Sequence, residues 1–154
     1  MIRAGQHVTI LLADDDEEDR AFATDALREC RFANDLHLVA DGVELLDYLH
    51  RRGAYAGANR APTPTLVLLD LDMPRKNGRE VLAEMKADPV LRQLPVVVLT
   101  TSQADEDVVR TYDLGVSSYI VKPVTFEGLV QAMKTLGRYW FELVELPQHP
   151  GASP

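Results

Sequence analysis

Two kinds of apolar segment alternate along the chain: short runs rich in β-branched residues, and longer stretches in which apolar residues recur every three or four positions. The short runs predict five strands, at Val8–Ala13, Leu36–Ala40, Leu66–Asp70, Pro95–Thr100 and Ser117–Val121. Four of these five are apolar almost throughout, which is typical of strands buried on both faces of a parallel sheet. The helical periods lie near residues 22–30, 42–49, 81–85, 108–112 and 126–140. This alternation predicts an α/β fold, a doubly wound five-stranded parallel sheet flanked by five helices.

Two segments fall outside the repeat. Residues 51–65 (RRGAYAGANRAPTPT) are rich in Gly, Ala and Pro and predict a surface loop that is long for a connection between a helix and a strand. Residues 147–154 carry no core-forming pattern and predict a flexible tail. A chain of 154 residues suits one sizeable core, so we expect a single domain over residues 7–146 with no output domain after it.

Composition and charge exclude several classes of protein. A net charge of −8 argues against non-specific nucleic-acid binding, because that binding needs a basic surface to displace counterions. Cys30 is the single cysteine, so the chain cannot form an internal disulfide. No apolar run is long enough to span a bilayer, and no basic-then-apolar signal opens the chain. We therefore expect a cytoplasmic protein that binds neither nucleic acid nor a membrane.

Polar residues stand where the predicted strands end. Asp14 and Asp15 follow the first strand, Asp70 closes the third, Thr100 closes the fourth, and Lys122 follows the fifth. Doubly wound folds bind ligands at the carboxyl ends of their strands, so we expect these groups to share one site. Carboxylates packed closely repel one another unless a cation lies between them, and carboxylate oxygens with a carbonyl and waters suit Mg²⁺. The strand ends thus predict a magnesium site.

The motifs at these strand ends, taken together, resemble those of the receiver domains of two-component response regulators. The matching segments are ILLADDD, LVLLDLDMPRKNG, VVVLTTS and SYIVKP, in that order, and the resemblance covers about residues 7–136. Each motif alone is weakly specific, but four in order at successive strand ends are jointly specific. The resemblance implies a flavodoxin-like sheet with strand order 2-1-3-4-5.

The resemblance also implies an acceptor and a metal site. Asp70 matches the position of the phosphoryl acceptor. Asp15 matches a direct Mg²⁺ ligand, Asp14 a ligand that acts through water, and Asp72 the residue whose backbone carbonyl binds the metal. A carboxylate that attacks phosphorus and forms an acyl phosphate is the aspartyl-phosphate kind of nucleophilic catalysis.

Three further positions match groups that respond to the phosphoryl group. Thr100 and Lys122 match the hydroxyl and ammonium that contact the phosphoryl oxygens, and Tyr119 matches the aromatic residue whose rotation follows phosphorylation. Phosphoryl transfer depends mainly on positioning and on neutralising the oxygens of the group in transfer, which suits these side chains. The resemblance therefore implies a signal-transducing switch and not a turnover enzyme.

A narrower resemblance concerns the signalling partner. The chain is similar to single-domain regulators of bacterial phytochrome histidine kinases in residues 51–65, in the segments DMPRKNGREVLAEMKAD and VVVLTTS, and in the aromatic C-terminal extension. This resemblance implies that the partner is a sensor histidine kinase of the phytochrome type, which donates the phosphoryl group from a histidine.

The C-terminal extension predicts an interface. Tyr139, Trp140 and Phe141 are consecutive, and Leu143 follows shortly after. Successive helical residues point about 100° apart, so three adjacent aromatic side chains cannot all face one core. Either the segment bends and wraps its own domain, or it forms an interface, and we expect a symmetric homodimer built on the last helix and this extension.

Other interpretations of the same residues stay open at this point. The acidic run alone is typical of a solvated helix start without a metal. The segment LVLLDLDM also resembles the first motif of haloacid-dehalogenase-type phosphatases, with Asp70 as nucleophile and Asp72 as general acid and base. In that interpretation Pro74 occupies an unusual position and the acidic run on the first strand has no role. A purely structural binding module would leave the whole cluster unexplained.

Overall fold

A parallel sheet forms the centre of the protein. The computed structural model describes residues 8–29, 34–57, 62–71, 73–100, 118–121 and 125–137. The strands are β1 (Val8–Ala13), β2 (Asn34–Val39), β3 (Leu66–Asp70), β4 (Val96–Thr100) and β5 (Ser118–Val121). They lie in the order β2-β1-β3-β4-β5, and every neighbouring pair is parallel. The predicted α/β class with a parallel sheet is therefore confirmed.

Four α-helices connect and cover the described strands. They are α1 (Glu17–Glu29), α2 (Gly42–His50), α3 (Gly78–Ala87) and α4 (Phe126–Gly137). Short 3-10 turns lie at Gly53–Tyr55 and Leu91–Gln93. The helix predicted near residues 108–112 lies outside the described residues, so the count of five helices stays a prediction. None of the described helices is long and apolar enough to cross a bilayer.

The sheet separates two apolar cores, as a doubly wound fold requires. Alternate side chains of β3 point to opposite faces, so Val67 and Leu69 join one core while Leu66 and Leu68 join the other. The first core is completed by α2 and α3, and the second by α1 and α4. All five residues of β3 are buried, which explains why its first four residues are all apolar.

The strand at one edge begins earlier than its apolar pattern predicts. β2 starts at Asn34, where Asn34 pairs with Val8 and Asp35 pairs with Thr9. We predicted a start at Leu36, because the polar pair before it breaks the apolar run. An edge strand keeps one side in water and therefore accepts polar residues at its end. By contrast, the predicted bounds of β1 and β3 agree with the structure.

The segment after α2 is tied back by a tyrosine. Tyr48 is buried, and its hydroxyl donates a hydrogen bond of 2.8 Å to the carbonyl of Pro62. Burial, as the largest cause, raises the pKa of Tyr48 to about 12. The ring of Tyr55 packs against Tyr48 at a centroid distance of 5.0 Å. The described part of the predicted surface loop is thus anchored on α2, although residues 51–54 are exposed.

Candidate functional site at the carboxyl edge of the sheet

The strand register brings the predicted acidic residues together. Ala13 on β1 and Leu69 on β3 are partners, so the next residues, Asp14 and Asp70, lie side by side at the carboxyl edge of the sheet. Asp14, Asp15 and Asp70 each place one carboxylate oxygen within 4.8 Å of the other two. The convergence of these three residues at one edge of the sheet is therefore observed.

Burial distinguishes the three carboxylates. Asp14 and Asp70 are buried, with 2% and 6% of their surface exposed, whereas Asp15 is exposed. Buried carboxylates are costly unless they are paired, hydrogen-bonded or bound to a cation. Three hard oxygen donors at this spacing suit a divalent cation such as Mg²⁺ or Mn²⁺ better than a soft metal. The donor set fits the predicted kind of metal.

The turn between β1 and α1 is held by its own residues. The amide of Asp16 donates to the carboxylate of Asp14 at 3.0 Å, and the Asp16 carboxylate accepts from the amides of Glu18 at 2.8 Å and Asp19 at 3.2 Å. These bonds satisfy amide groups that the first turn of a helix leaves without partners. The acidic run therefore both forms the pocket and starts α1.

An arginine on α1 braces the same turn. Arg20 donates from Nη1 to the backbone carbonyl of Asp14 at 2.7 Å, and the amide of Asp14 donates to the carbonyl of Val39 at 3.1 Å. The sequence analysis did not identify Arg20. Its position one turn into the helix, directly after the acidic run, was the available signal.

The loop between β3 and α3 packs closely on the end of β3. The amide of Gly78 donates to the carbonyl of Leu71 at 2.9 Å. A Cβ atom at Gly78 would lie 2.7 Å from the carbonyl oxygen of Asp70, which is too close for any side chain. Asn77 and Glu80 form a reciprocal capping box that begins α3 at this point. Gly78 therefore allows the start of α3 to pack directly on the backbone of Asp70.

The same loop carries an ion pair that was not predicted from the sequence. Arg75 forms an ion pair with Asp41, the N-terminal cap of α2. The pattern DG after a strand signals a helix cap at Asp41, but nothing local links that residue to Arg75.

The remaining predicted site residues are described in part or not at all. The backbone of Thr100 pairs with Val121, and Leu99 pairs with Asp70, so the end of β4 lies between Asp70 and the end of β5. The side chains of Thr100 and Tyr119 lie outside the described part of the chain, as do Asp72 and Lys122. The same holds for the predicted interface residues, which are Tyr139, Trp140, Phe141 and Leu143.

Sequence comparison agrees with this geometry. Residues 10–134 match the family described as "Response regulator receiver domain". The response regulator Rcp1 of Synechocystis sp. is 38% identical over 138 residues, which cover 90% of this chain and 92% of that protein.

Solved structures show the same similarity in three dimensions. The phosphorylated cyanobacterial phytochrome response regulator RcpA is 40% identical, covers 93% of this chain and 100% of its own, and superposes with a TM-score of 0.85. The Mn²⁺-bound form of Rcp1 is 37% identical, covers 92% and 99% of the two chains, and gives a TM-score of 0.82. These similarities favour the receiver interpretation over the phosphatase.

Proposed function

Because this chain belongs to the response regulator receiver domain family, matched over residues 10–134, we propose that Asp70 is the phosphoryl acceptor of a two-component signalling switch. The observation that carries the proposal is the position of Asp70, buried at the end of β3 with one oxygen within 4.8 Å of Asp14 and Asp15 oxygens. A buried carboxylate among other carboxylates is suited to a site where a cation and a phosphoryl group bind together.

The proposed reaction transfers one phosphoryl group from nitrogen to oxygen. A carboxylate oxygen of Asp70 attacks the phosphorus of a phosphohistidine on the donor kinase, and a P–O bond forms while the P–N bond breaks. The imidazole of the donor leaves and takes up a proton, and an acyl phosphate remains on Asp70. The residues of this chain contribute mainly by holding the attacking oxygen in place.

We assign the cation site to the acidic cluster. Asp15 and Asp70 are proposed as direct ligands of Mg²⁺, Asp14 as a ligand through water, and the backbone carbonyl of Asp72 as a further ligand. When bound, the cation neutralises charge on the phosphoryl oxygens. The Mn²⁺-bound structure of Rcp1 supports this assignment, because Mn²⁺ and Mg²⁺ both favour oxygen donors.

The proposed switch uses the ends of β4 and β5. Thr100 and Lys122 are proposed to bind the phosphoryl oxygens, and Tyr119 to change its rotamer with Thr100. The support is the register, in which Thr100 pairs with the last residue of β5 and Lys122 is the next residue along the chain. Phosphorylation shifts a pre-existing equilibrium between two states, so both states exist before phosphate binds.

The proposed partners follow from the relatives. Because the relative RcpA is a phytochrome response regulator, we propose that a phytochrome-type sensor histidine kinase in the cytoplasm donates the phosphoryl group. We also propose a five-helix receiver domain over residues 7–146, a flexible tail at 147–154, and a homodimer formed through Tyr139, Trp140, Phe141 and Leu143. Signalling then proceeds by protein contact.

Incubation with acetyl phosphate and Mg²⁺ tests the acceptor. Intact mass spectrometry should show one phosphoryl adduct on the wild-type protein and none on Asp70→Asn. Asp25→Asn is the matched control, because Asp25 is an exposed acid on α1, and it should keep the adduct.

Beryllofluoride with Mg²⁺, followed by light scattering, reports the oligomeric state, and Trp140→Ala should weaken a dimer. Steady hydrolysis of phosphomonoesters by the wild-type protein would instead support the phosphatase interpretation.

A further inference from the structure

An ion pair connects the acceptor loop to the β2–α2 turn. Arg75 donates from Nε to one carboxylate oxygen of Asp41 at 2.9 Å and from Nη2 to the other at 3.0 Å. The two residues are 34 positions apart in sequence. Nη2 also lies 2.8 Å from the oxygen that accepts from Nε. Several contacts between a guanidinium and a carboxylate fix orientation as well as distance.

The backbone at Arg75 adopts a conformation that needs support. Its φ is 64°, in the left-handed region that costs energy for residues other than glycine. Such a conformation persists only where surrounding contacts hold it. The bidentate pair with Asp41 is a contact of this kind, so Arg75 supports a loop geometry that its own residue type disfavours.

Asp41 is already fixed by α2. Its carboxylate accepts from the amide of Glu44 at 2.8 Å, and the Glu44 carboxylate in turn accepts from the amide of Ala40 at 2.9 Å. Only 13% of the Asp41 side chain is exposed, whereas 59% of the Arg75 side chain is exposed. The anchor is therefore rigid on the Asp41 side, and the loop is the part that the pair holds.

Backbone contacts show how closely the two segments approach. A Cβ atom at Gly42 would lie 2.1 Å from the carbonyl oxygen of Lys76, so the loop packs directly on the start of α2. At the other end of the loop, Gly78 packs on the backbone of Asp70. The loop is thus held at two places, one beside Asp41 and one beside the acceptor.

We infer that Arg75 is a positioning residue, which acts through Asp41 to hold the β3–α3 loop in the geometry that the acidic pocket needs for a divalent cation. The inference rests on the proposed function, because it assigns the pocket to cation and phosphoryl binding. Ion pairs with an exposed partner contribute little to global stability, so the expected effect is local.

A double-mutant cycle with Arg75→Ala and Asp41→Ser tests the inference. Serine keeps an oxygen that caps α2 but cannot pair with Arg75. Each single variant should weaken Mg²⁺ binding, measured by calorimetry, by roughly threefold to tenfold. The double variant should bind Mg²⁺ at least as tightly as the single variant with the lower affinity. In the metal-free protein, hydrogen exchange at the amides of Lys76 and Gly78 should become faster.

A matched control separates positioning from general destabilisation. Arg52→Ala removes another surface ion pair, between Arg52 and Asp47 at the other end of α2, and should leave Mg²⁺ affinity and loop exchange unchanged. Arg75→Lys keeps the charge but lacks the planar guanidinium that bonds both carboxylate oxygens of Asp41. It should therefore recover part of the Mg²⁺ affinity that Arg75→Ala loses.

Unchanged Mg²⁺ affinity and unchanged loop exchange in Arg75→Ala would overturn the inference, as would additive losses in the double variant. A wild-type protein that takes up no phosphoryl group from acetyl phosphate would overturn the proposed function instead. Amide exchange in the metal-free protein still decides the role of Arg75 in that case, so the two failures are distinguishable.

Discussion

The β1–α1 turn and the β3–α3 loop meet at the acidic pocket, but different contacts hold them. In the β1–α1 turn the carboxylates of Asp14 and Asp16 bond to amides two or three positions further along the chain. In the β3–α3 loop, Arg75 bonds to Asp41 on another segment and Gly78 packs on the backbone of Asp70. The carboxylates of the β1–α1 turn are held by nearby amides, whereas the loop after Asp70 also depends on a distant residue, Asp41.

This difference has a physical reason. Charge acts over several ångströms, so the exposed acids that begin α1, such as Glu17, tolerate small displacements. An oxygen that attacks phosphorus must lie within a few tenths of an ångström of its productive position. A loop held at two separate places restricts such displacements better than a turn held mainly by its own side chains.

The largest effect is expected from Gly78→Ala. Helix propensity alone favours this change by up to about 1 kcal/mol. However, the new Cβ would lie 2.7 Å from the carbonyl oxygen of Asp70 and 2.8 Å from the Cα of Leu71. Both are backbone atoms in a buried region, so we expect the free energy of unfolding in urea to fall by roughly 2 kcal/mol. A gain in stability would show that the loop is not closely packed on the end of β3.

A smaller effect is expected from Asp15→Asn in the locally held turn. At a Mg²⁺ concentration ten times the dissociation constant, binding should stabilise the wild-type protein by about 1.4 kcal/mol. The variant should lose most of this gain, because it removes one of the three clustered carboxylates. Without Mg²⁺ it should be at least as stable as the wild type, since fewer like charges then repel one another. Thermal unfolding with and without Mg²⁺ measures both quantities.

Asp25→Asn provides the control for this measurement. Asp25 is exposed on α1 and pairs with Arg28 three residues away, so its loss should leave the Mg²⁺-dependent stabilisation intact. Equal losses in the two variants would mean that Mg²⁺ acts on the general charge of the protein. The acidic pocket would then not be the cation site.

Features that depend on neighbouring residues are predictable from the sequence. Apolar runs mark β1 and β3 at their observed bounds, and Asp14 and Asp70 stand directly at the ends of those runs. Once strands are parallel and adjacent, their ends share one edge of the sheet, so the carboxylate cluster follows without knowledge of any distance.

Features that depend on distant residues are not predictable in this way. The pair between Arg75 and Asp41 joins an exposed residue to the cap of α2, and no periodicity or local motif links the two positions. The early start of β2 at Asn34 could not be predicted for a related reason, because an edge strand exposed to water need not be apolar. The roles of Thr100 and Lys122 rest on the family resemblance and stay predictions.

The smallest effect is expected at Asp88, which lies in a turn away from the pocket. This turn is held by the same kind of hydrogen bonds as the β1–α1 turn. Its carboxylate accepts from the amides of Val90 at 2.8 Å and Leu91 at 3.0 Å, much as Asp16 accepts from Glu18 and Asp19. The hydrogen bond from the amide of Leu91, followed by that from the amide of Val90, lowers the pKa of Asp88 in the folded protein.

A folded-state pKa below the unfolded value of about 3.9 means that ionised Asp88 contributes stability above that pH. The contribution is lost as the pH falls through the lower, folded-state pKa. Asp88→Asn should therefore be less stable than the wild type at pH 6, and the difference should shrink towards pH 3, as followed by urea unfolding across this range. Because Asp88 is remote from the pocket, Mg²⁺ affinity should not change. Equal stability of the two proteins at every pH would mean that an acceptor oxygen, which asparagine keeps, stabilises the turn and the negative charge does not. The same conclusion would then apply to Asp16, and the charge of the acidic run would matter only at the cation site.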